Sequence, residues 1–211
     1  MRARDFVAYY PHERVWGLGV AALEIGSAYL RAEPLERLAR PLLAQLAAET
    51  AETAHLAVLH GSEVLYLLKE RPEGLGTKLV TEVGVRLPAH LTAVGRAMLM
   101  HLPRAQLVAL FPSPRPLVLR TGHGPSRLEE LERELEGARA AGYAVDDALT
   151  TPGISCIAAP VLSYEGQPLA GVGISFLLPT RDGESRDELA RRVLAAGSKL
   201  SRGPENVPEA A

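Results

Sequence analysis

Residues 153–178 read GISCIAAPVLSYEGQPLAGVGISFLL, and the alternation within them decides the fold class. In 168–178, Ala170, Val172, Ile174, Phe176 and Leu178 point one way and Gly171, Gly173, Ser175 and Leu177 the other, because side chains alternate along a strand. One face is bulky and the other is nearly bare. Residues 153–163 read as a second strand, joined to the first around Glu165-Gly166, so an antiparallel pair is expected. Between residues 148 and 180 the only charge is Glu165, but Pro152, Gly153, Pro160, Gly166 and Pro168 break the run before about 18 apolar residues accumulate. The stretch therefore reads as paired strands in a soluble chain.

Outward from this pair, helices and hairpins are mixed. A strand at 143–149 precedes it, an amphipathic helix at about 185–201 follows, and the tail with its two prolines is expected to be disordered. Upstream, Ser126 and Glu129 form an S-x-x-E capping box ahead of Leu128, Leu131, Leu135 and Ala138, and Gly142 closes that helix. Residues 112–125, with four prolines and two glycines, form a loop. Pro88 introduces a helix with Leu91, Val94, Met98 and Leu102 on one face, behind a strand at 77–83 that ends at Gly84. Strands at 53–60 and 63–70 meet at Gly61-Ser62, a pair suited to a tight primed turn. Pro34 opens a helix that buries Leu35, Leu38, Ala39, Leu42, Leu43, Leu46 and Ala47, with a kink expected at Pro41. Residues 5–16 form a small aromatic hairpin turning at Pro11-His12, and Val20, Leu23, Ala28 and Leu30 follow in a connecting helix. The class is α+β.

The composition narrows the function. At 211 residues, with 47% apolar and 23% charged residues, the chain is one large domain or a domain with an appendage. Lys and Arg number 23 against 25 Asp and Glu, so the basic surplus of a free-standing duplex binder is missing. Only Lys69, Lys78 and Lys199 are lysines, a skew that reflects coding bias rather than chemistry. Cys156 is the single cysteine, which excludes an intrachain disulfide, and no signal peptide opens the chain; a reducing cytoplasm is expected.

Glycines inside a strand mark the close approach of a backbone or a ligand, so the bare face of 168–178 is either tightly packed under a helix or the floor of a pocket. Cys156 and Ala158 extend that small-residue face. Cys156 is either a small buried hydrophobe or a nucleophile. Asp146 and Asp147 are adjacent on a strand, so at most one faces a pocket, and the alternative is that both are solvated. If Thr92 is an N-cap, the N–H groups of Ala93, Val94 and Gly95 lie at a helix start that favours an anion. Every helix has such an end. No phosphate loop, dinucleotide fingerprint, H-E-x-x-H or G-x-S-x-G motif occurs. His55 and His60 face opposite sides of a strand. A zinc site would have to combine His90, Asp146 and Cys156, and a cysteine enzyme would need His90 as the base for Cys156. No catalytic residue, metal or cofactor is assigned.

From about Val15 to Leu200 the chain resembles the C-terminal effector-binding domain of the IclR family of bacterial transcription regulators. The markers are Trp16-Gly-Leu-Gly19, the Pro41-x-Leu43-x-x-Leu46 helix with Glu52-Thr53, Leu87-Pro-Ala-His-Leu-Thr-Ala-Val-Gly-Arg-Ala97, Gly142-Tyr143 with Asp146-Asp147, Gly153-Ile-Ser-Cys-Ile-Ala-Ala-Pro160 and Gly166-Gln-Pro168. The resemblance implies a GAF-like sensor, an antiparallel sheet flanked by helices, that binds a small organic or aromatic acid. The positions it implies for the effector are Ala93, Val94, Asp146, Cys156, Gly173 and Ser175, with Leu79 and Ile154 as apolar walls. Gly173 stands where some members have serine, so the ligand is expected to be larger or less polar than glyoxylate or pyruvate.

The same resemblance implies a homo-oligomer, a dimer or tetramer, that is not an enzyme. It divides the chain into a wing remnant and linker helix at 1–31, an effector-binding domain at 32–202 and a tail at 203–211. The family's winged helix-turn-helix is expected to be largely missing, leaving the aromatics of the wing exposed and DNA within reach only through an element these residues do not supply. A start site farther upstream and a sensor-only relative acting by mixed oligomerisation are the alternatives.

Overall fold

The structure is a computed structural model and describes residues 5–32, 34–72, 81–112, 114–177 and 186–203. Two units separate, residues 1–37 and 38–211. In the first, β1 (Val7–Tyr10) and β2 (Val15–Leu18) form an antiparallel ribbon that puts Tyr9 opposite Trp16, with ring centroids 4.9 Å apart. A two-stranded ribbon has no second layer to cover its side chains, and Trp16 is 57% and Leu18 80% exposed. The helix α1 (Val20–Ala32) follows. Next comes α2 (Pro34–Thr50), which continues through Pro41 and buries Ala39, Leu43, Leu46 and Ala47.

The second unit is built on six strands: β3 (Thr53–His60), β4 (Glu63–Glu70), β5 (Arg86–Pro88), β6 (Ala144–Asp147), β7 (Ile154–Leu162) and β8 (Pro168–Leu177). Their order is β5-β4-β3-β8-β7-β6, and every neighbouring pair is antiparallel. As one of the two central strands, β8 is buried without interruption from Ala170 to Phe176. One face of the sheet carries α3 (Ala93–Leu99), whose Val94 lies against Gly171. The other carries α6 (Arg186–Ser201), whose Gly197 lies against Pro160 and Val172. Two further helices are α4 (Arg104–Leu110) and α5 (Leu128–Ala141); Leu131 and Leu135 of α5 join Ala97, Met98 and Leu99 of α3 in the core. Arg96 fixes α3 in place. Its Nε donates to the His90 carbonyl at 2.8 Å, one Nη to the Val145 carbonyl at 3.0 Å, and the other pairs with Glu134. No helix among the described residues is long and apolar enough to cross a membrane.

Several local expectations are corrected. Most of the strand expected at 77–83 lies outside the described residues, and 81–83 form no strand. The edge strand is β5, three residues paired with Glu63–Leu65 of β4, too short to show a period of two. At α5 no reciprocal capping box forms: Ser126 bonds to Glu130 rather than Glu129, and Glu130 Oε2 accepts from the Ser126 amide at 2.8 Å and from the Ser126 hydroxyl at 2.9 Å. The N-cap residue there is Arg127, whose side chain makes no cap bond. The strand expected at 143–149 stops at Asp147, because Ala148 turns to a φ of 57°.

Candidate functional site

The register across the sheet puts Thr53 opposite Ser175, Ser175 opposite Cys156, and Cys156 opposite Asp146. Directly paired residues share a face, so these four side chains form one polar row across β3, β8, β7 and β6. Ser175 is its hub: Oγ lies 3.0 Å from Cys156 Sγ and 2.9 Å from His55 Nε2. His55 belongs to the next row, where its direct partner is Gly173. It reaches diagonally past that glycine to the serine. Thr81 Oγ1 is 3.5 Å from the same imidazole nitrogen, and Tyr66 meets the ring edge-on at 5.6 Å.

Burial works against charge along this row and beside it. Burial, with Lys69 and Arg71 nearby, lowers the His55 pKa to about 3, so the imidazole is neutral at physiological pH. Burial pushes the Cys156 thiol well above its ordinary value, and the Asp146 carboxylate adds to the shift. Tyr66 is raised by burial, then by Cys156 and Asp146. Burial also raises Asp146, against the hydrogen bonds that hold its charged form. Those bonds come from the Leu149 amide to Oδ1 and the Thr150 hydroxyl to Oδ2, each 2.7 Å. Asp146 thus anchors the turn at 148–151. Asp147 points to the opposite face, accepting from Ser155 Oγ at 2.5 Å and from both Arg186 Nη atoms at 2.9 and 3.0 Å.

Cys156 retains intermediate exposure although it sits inside the sheet between β6 and β8. Thr92 is the N-cap of α3, its Oγ1 accepting from the Gly95 amide at 3.1 Å, so the first helical residues are Ala93 and Val94, both buried. Ile154 is buried two residues from Cys156, on the same face. Leu79 lies outside the described residues.

The two strand glycines have separate causes. A methyl group at Gly171 would stand 2.5 Å from the Val94 carbonyl oxygen of α3, and one at Gly173 would stand 2.6 Å from the Ile157 carbonyl oxygen of β7. Close helix and strand packing therefore accounts for both. His55, Thr81 and Tyr66 are the residues that reading by sequence missed here. Alternation puts Thr53, His55 and Ala57 on one face of β3, but the pairing of β3 with β8 cannot be read along the chain.

Two chemical alternatives lose their geometry. His90 is engaged elsewhere, with Nε2 donating to the Val118 carbonyl at 2.8 Å and burial lowering its pKa. A base that could activate Cys156 would have to be His55, which is too weak and whose Nδ1 has no orienting partner among the described residues. Among the described residues no three His, Cys, Asp or Glu side chains gather as a metal site.

Comparison with known proteins identifies the family. A family model described as bacterial transcriptional regulator IclR, C-terminal, matches residues 27–202. The HTH-type transcriptional regulator BhcR of Paracoccus denitrificans is 32% identical over 215 residues, covering 96% of this chain and 72% of that protein. The crystal structure of the Thermotoga maritima IclR superposes with a TM-score of 0.82 at 28% identity, covering 95% of this chain and 80% of that one. An IclR homologue from Microbacterium hydrocarbonoxydans, crystallised with 4-hydroxybenzoate, shares the fold with a TM-score of 0.75 at 23% identity, covering 94% and 79%. These relatives are regulators by name rather than enzymes. The chain belongs to the IclR family of bacterial transcriptional regulators, and residues 27–202 are its C-terminal domain.

Proposed function

We propose that this chain is the sensing part of an IclR-type regulator and that it binds a small organic or aromatic acid over the Ser175–Cys156 pair. The observation that carries the reading is the residual exposure of Cys156 within the sheet, beside a serine hydroxyl held between a thiol and a neutral imidazole. Ser175 and Cys156 offer uncharged hydrogen-bonding groups, and the start of α3 at Ala93 and Val94 favours a carboxylate. Ile154 supplies an apolar wall. Asp146 acts by holding the 148–151 turn beside the row, and Gly173 lets β7 and β8 close up beneath it. The bound acid alters operator affinity through the arrangement of a homodimer or homotetramer, which requires that it bind two arrangements unequally. DNA is contacted through a helix-turn-helix that is not among the elements described here.

The test is a thermal-shift screen of small carboxylic acids, with 4-hydroxybenzoate as the first compound. An acid present at about 100 times its dissociation constant adds about 2.7 kcal/mol of stability. Ser175→Ala and Asp146→Ala are expected to lose that gain. An acid that stabilises both variants as much as the parent binds elsewhere, and the proposed site is then wrong.

A further inference from the structure

A cavity of about 560 Å³ opens beside the β4–β5 edge and is lined on its far side by residues 110–112 and 115–118. It contains none of Thr53, Ser175, Cys156 or Asp146. Its size lies within the roughly 300–1,000 Å³ of small-molecule sites. Phe111 and Val118 stand for its largely apolar wall, and Arg86, Arg115 and Glu63 are its charged groups. We propose that this cavity binds a small organic monoanion with an apolar body.

The charge count gives the sign. Arg86 Nη1 donates to His60 Nδ1 at 2.9 Å, which needs an unprotonated ring nitrogen, and its nearest carboxylate is Glu63 at 3.7 Å. Arg115 is exposed and has no ion-pair partner among the described residues. Burial holds His90 neutral. Two guanidiniums against one carboxylate leave a single positive charge facing a mostly apolar wall, and one carboxylate on an apolar frame completes both.

The wall is preformed. His90 donates to the Val118 carbonyl at 2.8 Å and meets the Phe111 ring edge-on at 5.7 Å, while the Leu117 amide donates to the Ser126 carbonyl at 2.8 Å. A site that is already ordered loses less entropy when a ligand arrives.

The probe is benzoate, titrated into the full chain while the His60 and His90 ring signals and the Gly61 amide are followed by NMR. Benzoate is expected to move all three, and Arg115→Gln, at an exposed position, to weaken the response about tenfold. Val118→Glu, also exposed, is expected to abolish it by supplying the cavity's own carboxylate. Ser175→Ala is expected to leave it unchanged, so failure here and failure of the sensing site are read separately. Signals that stay still at about 10 mM benzoate, a weaker affinity than small-molecule sites show, overturn the proposal. So does an undiminished response in Arg115→Gln. Signals that shift with protein concentration before benzoate is added show a second copy in the cavity and overturn it as well.

Discussion

His55 Nε2 lies 2.9 Å from Ser175 Oγ although the residue directly opposite His55 in the ladder is Gly173. The contact is diagonal, and the bare rung makes it passable: with a side chain at 173, the imidazole would have to cross it to reach the serine. Among the described residues, Ser175→Ala leaves His55 Nε2 with only the long 3.5 Å contact to Thr81. The loss of one buried hydrogen bond predicts destabilisation of about 1–2 kcal/mol in urea unfolding. Ser175→Thr keeps the hydroxyl and is expected to recover part of it.

The imidazole also sets a pH dependence. Its folded pKa is near 3 and its ordinary value is 6.5, so the unfolded chain takes up a proton that the folded chain refuses. The stability this group contributes is complete above pH 6.5 and is lost as pH falls toward 3. Through that window the loss approaches about 1.4 kcal/mol per pH unit. His55→Asn is expected to flatten the acid limb of the stability profile, and parallel limbs in the two proteins would contradict a buried neutral His55.

How much of this was visible beforehand depends on distance along the chain. The β7–β8 hairpin, the Thr92 cap and the opposite facing of Asp146 and Asp147 are local, set by a period of two or by a residue's reach to its own backbone. The His55–Ser175 bond joins residues 120 apart, and neither strand announces the other. β5 and α4 span three and seven residues, below the length at which a hydrophobic period can be read. The glycines of β8 were visible as an anomaly; their cause, the carbonyls of Val94 and Ile157, came only with the packing.

Gly171→Ala tests that packing. Its methyl group would sit 2.5 Å from the Val94 carbonyl and 2.9 Å from Val94 Cβ. Neither backbone can yield without moving α3, so overpacking of about 1–3 kcal/mol is predicted. Because α3 also carries Ala93 and Val94, any acid found in the screen is expected to stabilise this variant less than the parent. An unchanged melting temperature would show that α3 is not seated on β8.

Arg96 joins three elements through its guanidinium, touching the His90 carbonyl, the Val145 carbonyl and Glu134. Arg96→Met keeps the apolar stem and strands two carbonyls. It is predicted to cost about 2–4 kcal/mol, while Glu134→Gln, at a half-exposed position, costs about 1 kcal/mol or less. A double-mutant cycle checks the partition: if Glu134 accounts for most of the Arg96 effect, the carbonyl contacts contribute little.

Cys156 is the chain's single thiol and sits on the row that the proposed effector would cover. Its raised pKa predicts slow alkylation by iodoacetamide at pH 8, with no reactive thiolate at lower pH. The decisive reading is that alkylation rate measured with and without a stabilising acid from the screen. Slowing in step with occupancy is the predicted result, since the acid lies over the sulfur; an acid that saturates the protein while Cys156 alkylates at its original rate would place the effector away from Ser175 and Cys156.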